Sequence, residues 1–264
     1  LHQISRRMRS LVLRQALGTR AHIGSALSAV DILACVYFDA LKITAQGWSK
    51  PDRHRFILSK GHGALALYAA LQEAGFLERG VLEAYGQPGC PLGGHPSTRT
   101  PGVELGTGAL GHGLAVAAGM AYAARVNDWA TRVVVLTGDG ELNEGSVWEA
   151  ALFAAHQGLA NLTLIIDRNG LQQEGATESI LALEPLADKW RAFGWRVIEV
   201  DGHDLDDLSA ALRPAPGQRR PLAVIAKTVK GKGVSFMEGD ARWHMAELDA
   251  EQLALALAQV EGQA

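Results

Sequence analysis

A chain of 264 residues with 48% hydrophobic and 20% charged residues has the composition of a folded globular protein, not a disordered one. That length buries a good core, as one large or two small domains. The net charge of −3 argues against a nucleic-acid surface. Because no apolar run reaches about eighteen residues, no membrane-spanning helix is predicted. Neither nucleic acid nor membrane is expected as a partner. The two cysteines, Cys35 and Cys90, argue against a disulfide framework and for a reducing, cytoplasmic location.

In chain order, the first predicted element is a helix over residues 4–19. It is amphipathic, with Arg6, Arg7, Arg9 and Arg14 among apolar residues, and lacks the uninterrupted apolar block of a signal peptide. The chain begins without Met, so a few preceding residues are expected to be missing. His22 follows in the turn Ala21-His22-Ile23-Gly24, and a second helix, with Cys35 in its core, is predicted over residues 28–40. Residues 55–58 read as a short strand. Ser59-Lys60-Gly61-His62-Gly63 and a helix over residues 64–74 come next. Glycine and proline are dense from Gly86 to Gly113, and so long an irregular stretch in a compact domain is usually functional. It holds Cys90, His95 in Gly93-Gly94-His95-Pro96, and the run Gly108-Ala109-Leu110-Gly111-His112-Gly113, where a helix over residues 110–126 begins.

Residues 133–136 read as a fully buried strand ended by Gly138-Asp139-Gly140. A helix over 146–157 and a second apolar strand over 162–167 follow, with Asn169 just past its end. Such a strand–helix–strand unit crosses over right-handed, so both strands end on the same side. Asp139 and Asn169 then lie together at the carboxyl edge of a parallel sheet, where such sheets bind ligands. A carboxylate, an amide oxygen and a nearby backbone carbonyl suit a hard cation that keeps positions for water and phosphate oxygens. Glycines there let a diphosphate approach the backbone. Further on come a helical piece at Trp190, a strand over 195–200, a helix over 204–212, a strand over 222–226 and a helix over 249–260. The loop over 214–217 is too short to separate one domain from another. Residues 227–233 form a basic, glycine-broken loop, which is either solvated or a flap that orders over a ligand and delivers His244. The alternation predicts a single α/β domain over residues 1–264 with a mainly parallel sheet flanked by helices.

His22, His62, His95 and His244 all sit in loops, the first three beside glycine or alanine. Any one alone is more often a surface or structural side chain. As a set they suit proton transfer and hydrogen bonding to a sugar hydroxyl or carbonyl. Close zinc-ligand pairs are absent. Gly106-x-Gly108-x-x-Gly111 formally fits a dinucleotide fingerprint. However, residues 101–105 make a poor strand, and no acidic residue ends a second strand about twenty residues on.

These loops, in this order, resemble the amino-terminal half of transketolase. The resemblance rests on His22-Ile23-Gly24-Ser25, on Ser59 to Gly63, on Gly94 to Pro96, on Thr107 to Gly111, and on Gly138-Asp139-Gly140 with Glu144, Gly145 and Glu149. It implies the thiamine diphosphate-binding fold, specifically its diphosphate-binding domain. It further implies that Asp139, Asn169 and the carbonyl of Leu171 hold Mg2+, or another divalent cation such as Ca2+ or Mn2+. By the same resemblance Gly138, Gly140, Gly108, Ala109 and Leu110 line the cofactor, and His62 and His244 contact the diphosphate, with His244 near the reacting centre. His22 and His95 would bind donor hydroxyls and assist proton transfer. Glu144, counted with the cofactor site, and Glu149 would join an acidic network near a subunit interface; on sequence grounds alone they read as a first-turn helix cap. Ile23 and Ala109 stand where the family often has Pro, which bears on donor specificity.

Common transketolases are far longer, so the resemblance implies the amino-terminal subunit of a split transketolase. A partner chain would bring the pyrimidine-binding and carboxyl-terminal domains in an α2β2 assembly. The expected reaction moves a two-carbon ketol unit from a ketose or ketose phosphate to an aldose. Deoxyxylulose phosphate synthases and the alpha subunits of 2-oxoacid dehydrogenases share the cofactor motif and stand as alternatives, as does a non-catalytic cofactor-binding subunit.

Overall fold

In the computed structural model, which describes residues 1–262, five strands form one wholly parallel sheet in the order β1-β2-β3-β5-β4. They are β1 (Arg55–Leu58), β2 (Val133–Gly138), β3 (Leu162–Arg168), β4 (Arg196–Asp201) and β5 (Leu222–Lys227). The central strands are apolar runs buried on both faces, as a parallel sheet between helical layers requires. Alternate residues feed two cores. Val134, Leu136, Ile165 and Val224 pack with α1 (His2–Arg14), α2 (Ile23–Cys35), α3 (Ala64–Glu73), α8 (Leu205–Leu212) and α9 (Ala250–Glu261). Val133, Val135, Leu164, Ile166 and Ile225 pack with α4 (Gly113–Val126), α5 (Gly145–His156) and α7 (Leu186–Ala192). A single turn, α6 (Thr177–Ile180), lies beyond the end of β3.

Several elements differ from the sequence expectation, among them α4, which starts at Gly113 and not at residue 110, and α6, which was not expected. Helix α1 stops at Arg14, and the chain then turns through Gly18, at φ +59°, to pair Leu17 with Leu248 and Ala21 with Ala246. Helix α2 starts at Ile23, not at residue 28, and runs into a π-helical turn at Val36–Ala40. Its first residues, Gly24 and Ser25, read as turn formers in isolation, yet they are buried inside the helix. The stretch Ile23–Ala40 is also long and apolar enough to cross a membrane by length and composition, with 83% of it buried inside the fold. The embedded Ser25, Ser28 and Asp31 break the apolar run when the sequence is read alone. Strand β4 is an edge strand with partly exposed side chains, less apolar in its setting than expected. Cys35 is buried and Cys90 half-buried, and both are free thiols.

Candidate functional site

Parallel pairing sets Gly138 opposite Asp167, so Asp139 and Asn169 emerge from adjacent strand ends. Asp139 is buried at 2% exposure. Its Oδ1 accepts from the Gly140 N–H at 2.8 Å, while Oδ2 accepts from the Gly170 N–H at 2.7 Å and Arg168 Nη1 at 3.1 Å. Burial, then the nearby Asp167 charge, raises the Asp139 pKa, and the Gly170 N–H and Arg168 offset this in part. The Asn169 amide is oriented at both ends: Oδ1 accepts from the Leu171 N–H at 3.0 Å and Nδ2 donates to Asp167 at 3.4 Å. The Leu171 carbonyl accepts from Lys230 Nζ at 3.4 Å.

These three oxygen donors line one cleft of about 280 Å3 together with Gly138, Gly140, Gly108 and Leu110. The set of one carboxylate, one amide oxygen and one carbonyl suits a hard divalent cation that completes its shell with phosphate oxygens. Among the described residues no group of three or more His, Cys, Asp or Glu could hold a metal, so a softer, imidazole-rich ligand set is absent there. The glycines are closely packed: a Cβ at Gly140, in the lining, would stand 2.8 Å from Gln172 Cγ, and one at Gly61, outside the lining, would stand 2.8 Å from the Thr107 backbone next to Gly108. The residues present therefore fit a diphosphate–cation pair.

The four sequence-predicted histidines converge over the same cleft. His22 precedes α2, His62 lies in the turn Gly61–Gly63, His95 in the long irregular loop, and His244 in the turn Ala241–His244. The His22 ring centroid is 5.7 Å from that of His62, 5.6 Å from His95 and 5.3 Å from His244. His62 and His244 are 5.5 Å apart. Burial, followed by the charges of His95, Lys230 and Lys60, brings His22 down to about 4. Burial, then Lys230, His22 and Lys60, brings His244 down to about 4, and His62 is also pushed well below its ordinary value, chiefly by burial and Lys60. At neutral pH these three rings are uncharged, each with one donor and one acceptor nitrogen.

Several contributors were missed in the sequence. Lys60 is fully buried, paired with Asp167 and donating to the Ser25 carbonyl at 3.2 Å. Asp167 also accepts from Ser28 Oγ at 2.6 Å and from Thr228. Glu141, 1% exposed, accepts from Ser59 Oγ, the Gly111 N–H at 2.9 Å and the Gly138 N–H at 3.2 Å, joining three loops of the cleft. Lys230, in the basic loop, is buried at 1% exposure with Nζ 3.0 Å from His244 Nδ1, so this stretch of the loop is not solvated. Burial, and then Lys60, lowers Lys230 to about 8. The signals were present as Lys60 inside the Ser59–Gly63 motif, Glu141 two residues after Asp139, and Lys230 among glycines.

Not every predicted residue reaches the cleft. Ala109 is exposed and lies outside its lining. Glu144 is the residue before α5, exposed and without a side-chain cap hydrogen bond, and Glu149 is also exposed, so both face outward on this chain. Residues 99–107 are turns and loop, so no strand leads directly into Gly106, which removes the context a dinucleotide fingerprint needs.

The family described as "Transketolase, thiamine diphosphate binding domain" matches residues 5–261. The apulose-4-phosphate transketolase A subunit of Actinobacillus succinogenes is 44% identical over 97% of this chain and 93% of its own length. The same-named protein of Phocaeicola vulgatus is 44% identical over 90% of this chain and 85% of its own. Human transketolase is 41% identical over 90% of this chain, which spans 38% of it. The solved transketolase of Leishmania mexicana superposes with a TM-score of 0.89 at 32% identity, covering 98% of this chain and 41% of that one. With its fold, its glycine-walled cleft and its matched sequence in agreement, the chain belongs to the transketolase family, in the region that forms the thiamine diphosphate-binding domain.

Proposed function

We propose that this chain is the diphosphate-binding subunit of a two-chain transketolase, transferring a two-carbon ketol unit from a ketose donor to an aldose acceptor with thiamine diphosphate and Mg2+. Ca2+ or Mn2+ would satisfy the same oxygen donors. The observation that carries the reading is the convergence of His22, His62, His95 and His244 beside Asp139 and Asn169 in one cleft. Relatives named as the A subunits of such enzymes, matched along most of their own length, support the two-chain form. The partner would bring the pyrimidine-binding and carboxyl-terminal domains, two copies of each chain would assemble, and the complex would work in the cytoplasm.

Bound thiamine diphosphate supplies the nucleophilic carbon and the electron sink that ketol transfer requires. Asp139, Asn169 and the Leu171 carbonyl would hold the cation against the diphosphate, and Lys230 would meet its negative charge. A neutral imidazole can accept from one donor hydroxyl and donate to another oxygen, so His22 would orient the sugar without a net charge, with His95 as a second contact to the donor. With a pKa of about 4, His22 stores no proton at neutral pH, and negative charge developing beside it would raise its basicity. Gly108, Gly138 and Gly140, which also line the cleft, would let the diphosphate approach the backbone closely.

The test is co-expression with the product of the neighbouring reading frame, followed by a donor panel. The panel would hold ketose phosphates, apulose 4-phosphate, 6-deoxy-6-sulfo-D-fructose and pyruvate. Ketol transfer from a sugar donor, dependent on thiamine diphosphate, is the expected result. Turnover of pyruvate alone would overturn the transketolase assignment in favour of another thiamine-dependent reaction.

A further inference from the structure

The loop that carries Lys230 is fastened from its far side. Lys230 lines the cofactor cleft, whereas its neighbours Val229 and Lys232 line separate cavities beside His203. His203 follows β4 in the turn before α8. The Val229 N–H donates to His203 Nε2 at 2.8 Å. That nitrogen is therefore the bare one, and Nδ1 carries the proton and donates to Asp31 Oδ2 at 2.8 Å. Asp31, on α2, is gripped by both terminal nitrogens of Arg9 on α1, one of them at 3.1 Å. Arg9 Nε then donates to the Lys232 carbonyl at 3.2 Å. The Lys232 N–H donates in turn to the Val229 carbonyl at 3.2 Å, closing a turn with Lys230 inside it.

Both ends of the turn are thus tied to one buried cluster, whose Arg9, Asp31 and His203 side chains are 6–12% exposed. The turn has little slack elsewhere. The Gly231 N–H donates to the Gly24 carbonyl at 3.0 Å, and the Lys230 carbonyl accepts from Gly239 at 2.9 Å. Gly231 has φ +79°, and a Cβ there would stand 2.5 Å from the Met237 carbonyl oxygen, so the turn cannot be re-routed by other side chains. None of these three side chains lines the cofactor cleft.

From this geometry we infer that His203 is a positioning residue for cofactor binding: through Val229 it holds the turn that points Lys230 at the diphosphate end of the cleft, and Asp31 with Arg9 fixes the ring for that task. The inference rests on the reading of the cleft as a thiamine diphosphate site. Burial alone would make the cluster structural. The feature specific to positioning is that Val229 and Lys232, its two backbone partners, flank Lys230 on the chain.

A double-mutant cycle separates the two roles. Thiamine diphosphate with Mg2+ is titrated calorimetrically into the co-expressed complex carrying the wild-type chain, His203→Ala, Lys230→Met, or both. Each single substitution is expected to weaken binding by about tenfold, a size usual for a group that orients a ligating one. The double variant should be no weaker than Lys230→Met alone. Additive losses, about a hundredfold together, would overturn the inference. His203→Gln, which can offer an amide oxygen to the Val229 N–H, should recover most of the affinity. Amide hydrogen exchange over residues 228–233 should speed up in His203→Ala, and unchanged exchange would also overturn the inference. If His203→Ala does not fold, Asp31→Asn, which keeps the side chain's shape while loosening its hold on the ring, runs the same cycle. A wild-type complex that binds no thiamine diphosphate refutes the reading of the cleft itself, whereas binding with additive losses refutes only the role of His203.

Discussion

Replacing Glu141 tests how the cleft is held together. Its carboxylate is the common acceptor for Ser59 Oγ and for the N–H groups of Gly111 and Gly138. Glu141→Ala leaves two buried backbone N–H groups without an acceptor, at about 1–3 kcal/mol each, or roughly 2–6 kcal/mol together. Some of that returns, because burial raises the Glu141 pKa, with Ser59 and the two N–H groups only partly offsetting the cost of the buried charge. The net expectation is a loss of about 2–4 kcal/mol, a large share of a typical stability of roughly 5–15 kcal/mol. Glu141→Gln keeps one oxygen for Ser59 and Gly111 and turns an NH2 group toward the Gly138 N–H, so about 1–2 kcal/mol is expected. The assay is urea unfolding with linear extrapolation, and an unchanged slope confirms that only stability has moved. The pH dependence has a definite sign. A folded-state pKa raised above the ordinary 4.5 gives stability that is present in acid and lost as pH rises through the folded value. The advantage of wild type over Glu141→Gln should therefore shrink toward neutral pH. A Glu141→Ala protein within about 0.5 kcal/mol of wild type would refute the account, since it would mean that water or a neighbour satisfies those donors at no cost.

Asp139→Ala should abolish the metal dependence of thiamine diphosphate binding in calorimetry on the assembled protein; unchanged affinity would remove Asp139 from the cation site. Gly61→Ala should weaken the cofactor while leaving the far-ultraviolet circular dichroism intact, because a Cβ there must push the Thr107–Gly108 backbone away by several tenths of an ångström; wild-type affinity would show that this contact yields freely. The imidazole proton resonances of His22 and His244 should stay unshifted down to about pH 5, given folded pKa values of about 4. For these depressed groups the stability contribution is present above the ordinary 6.5 and is lost as pH falls through about 4, and a His22 midpoint above 6 would contradict the burial argument. His95→Ala should raise KM for the sugar donor with the cofactor still bound, and an unaltered donor dependence would release His95 from that role.

What could be read in the sequence was what neighbouring residues decide. Val133 to Leu136 is an uninterrupted apolar run and Leu162 to Ile166 is broken only by Thr163, a pattern that suits a sheet buried on both faces, and the glycines after the first run mark its end. The pairing of Asp139 with Asn169 followed from handedness alone. The early start of α2 was hidden because Gly24 and Ser25 are helical only through their tertiary setting, with Gly24 packed under the Trp243 carbonyl and Lys230. Glu141 was hidden for a similar reason. An acidic residue after a strand is ordinarily solvated, and its real partners lie 82 residues away at Ser59 and 30 residues away at Gly111. His203 could not be told from a surface histidine, since its partners come from α2 and from the loop after β5.

The electrostatics of the cleft point to two ligands of opposite sign that help each other. The buried Lys60–Asp167 pair sums to zero, yet each member disturbs a neighbour. After burial itself, Lys60 is the largest influence lowering Lys230, and Asp167 is the largest influence raising Asp139. Lys230 and Asp139 are therefore both drawn toward their neutral forms. They cannot relieve one another fully: Asp139 pairs with Arg168, while Lys230 spends its ammonium on a carbonyl and an imidazole. A diphosphate beside Lys230 would restore its charge, and a divalent cation beside Asp139 would restore the carboxylate. Either ligand alone leaves one group uncompensated in a poorly solvated site, where charges interact more strongly than in water. Cation and diphosphate affinities should accordingly be coupled, each strengthening the other by the same factor. Such coupling would originate in two pairs of groups, Lys60 with Lys230 and Asp167 with Asp139, brought together where β1, β2, β3 and β5 end on the same side of the sheet.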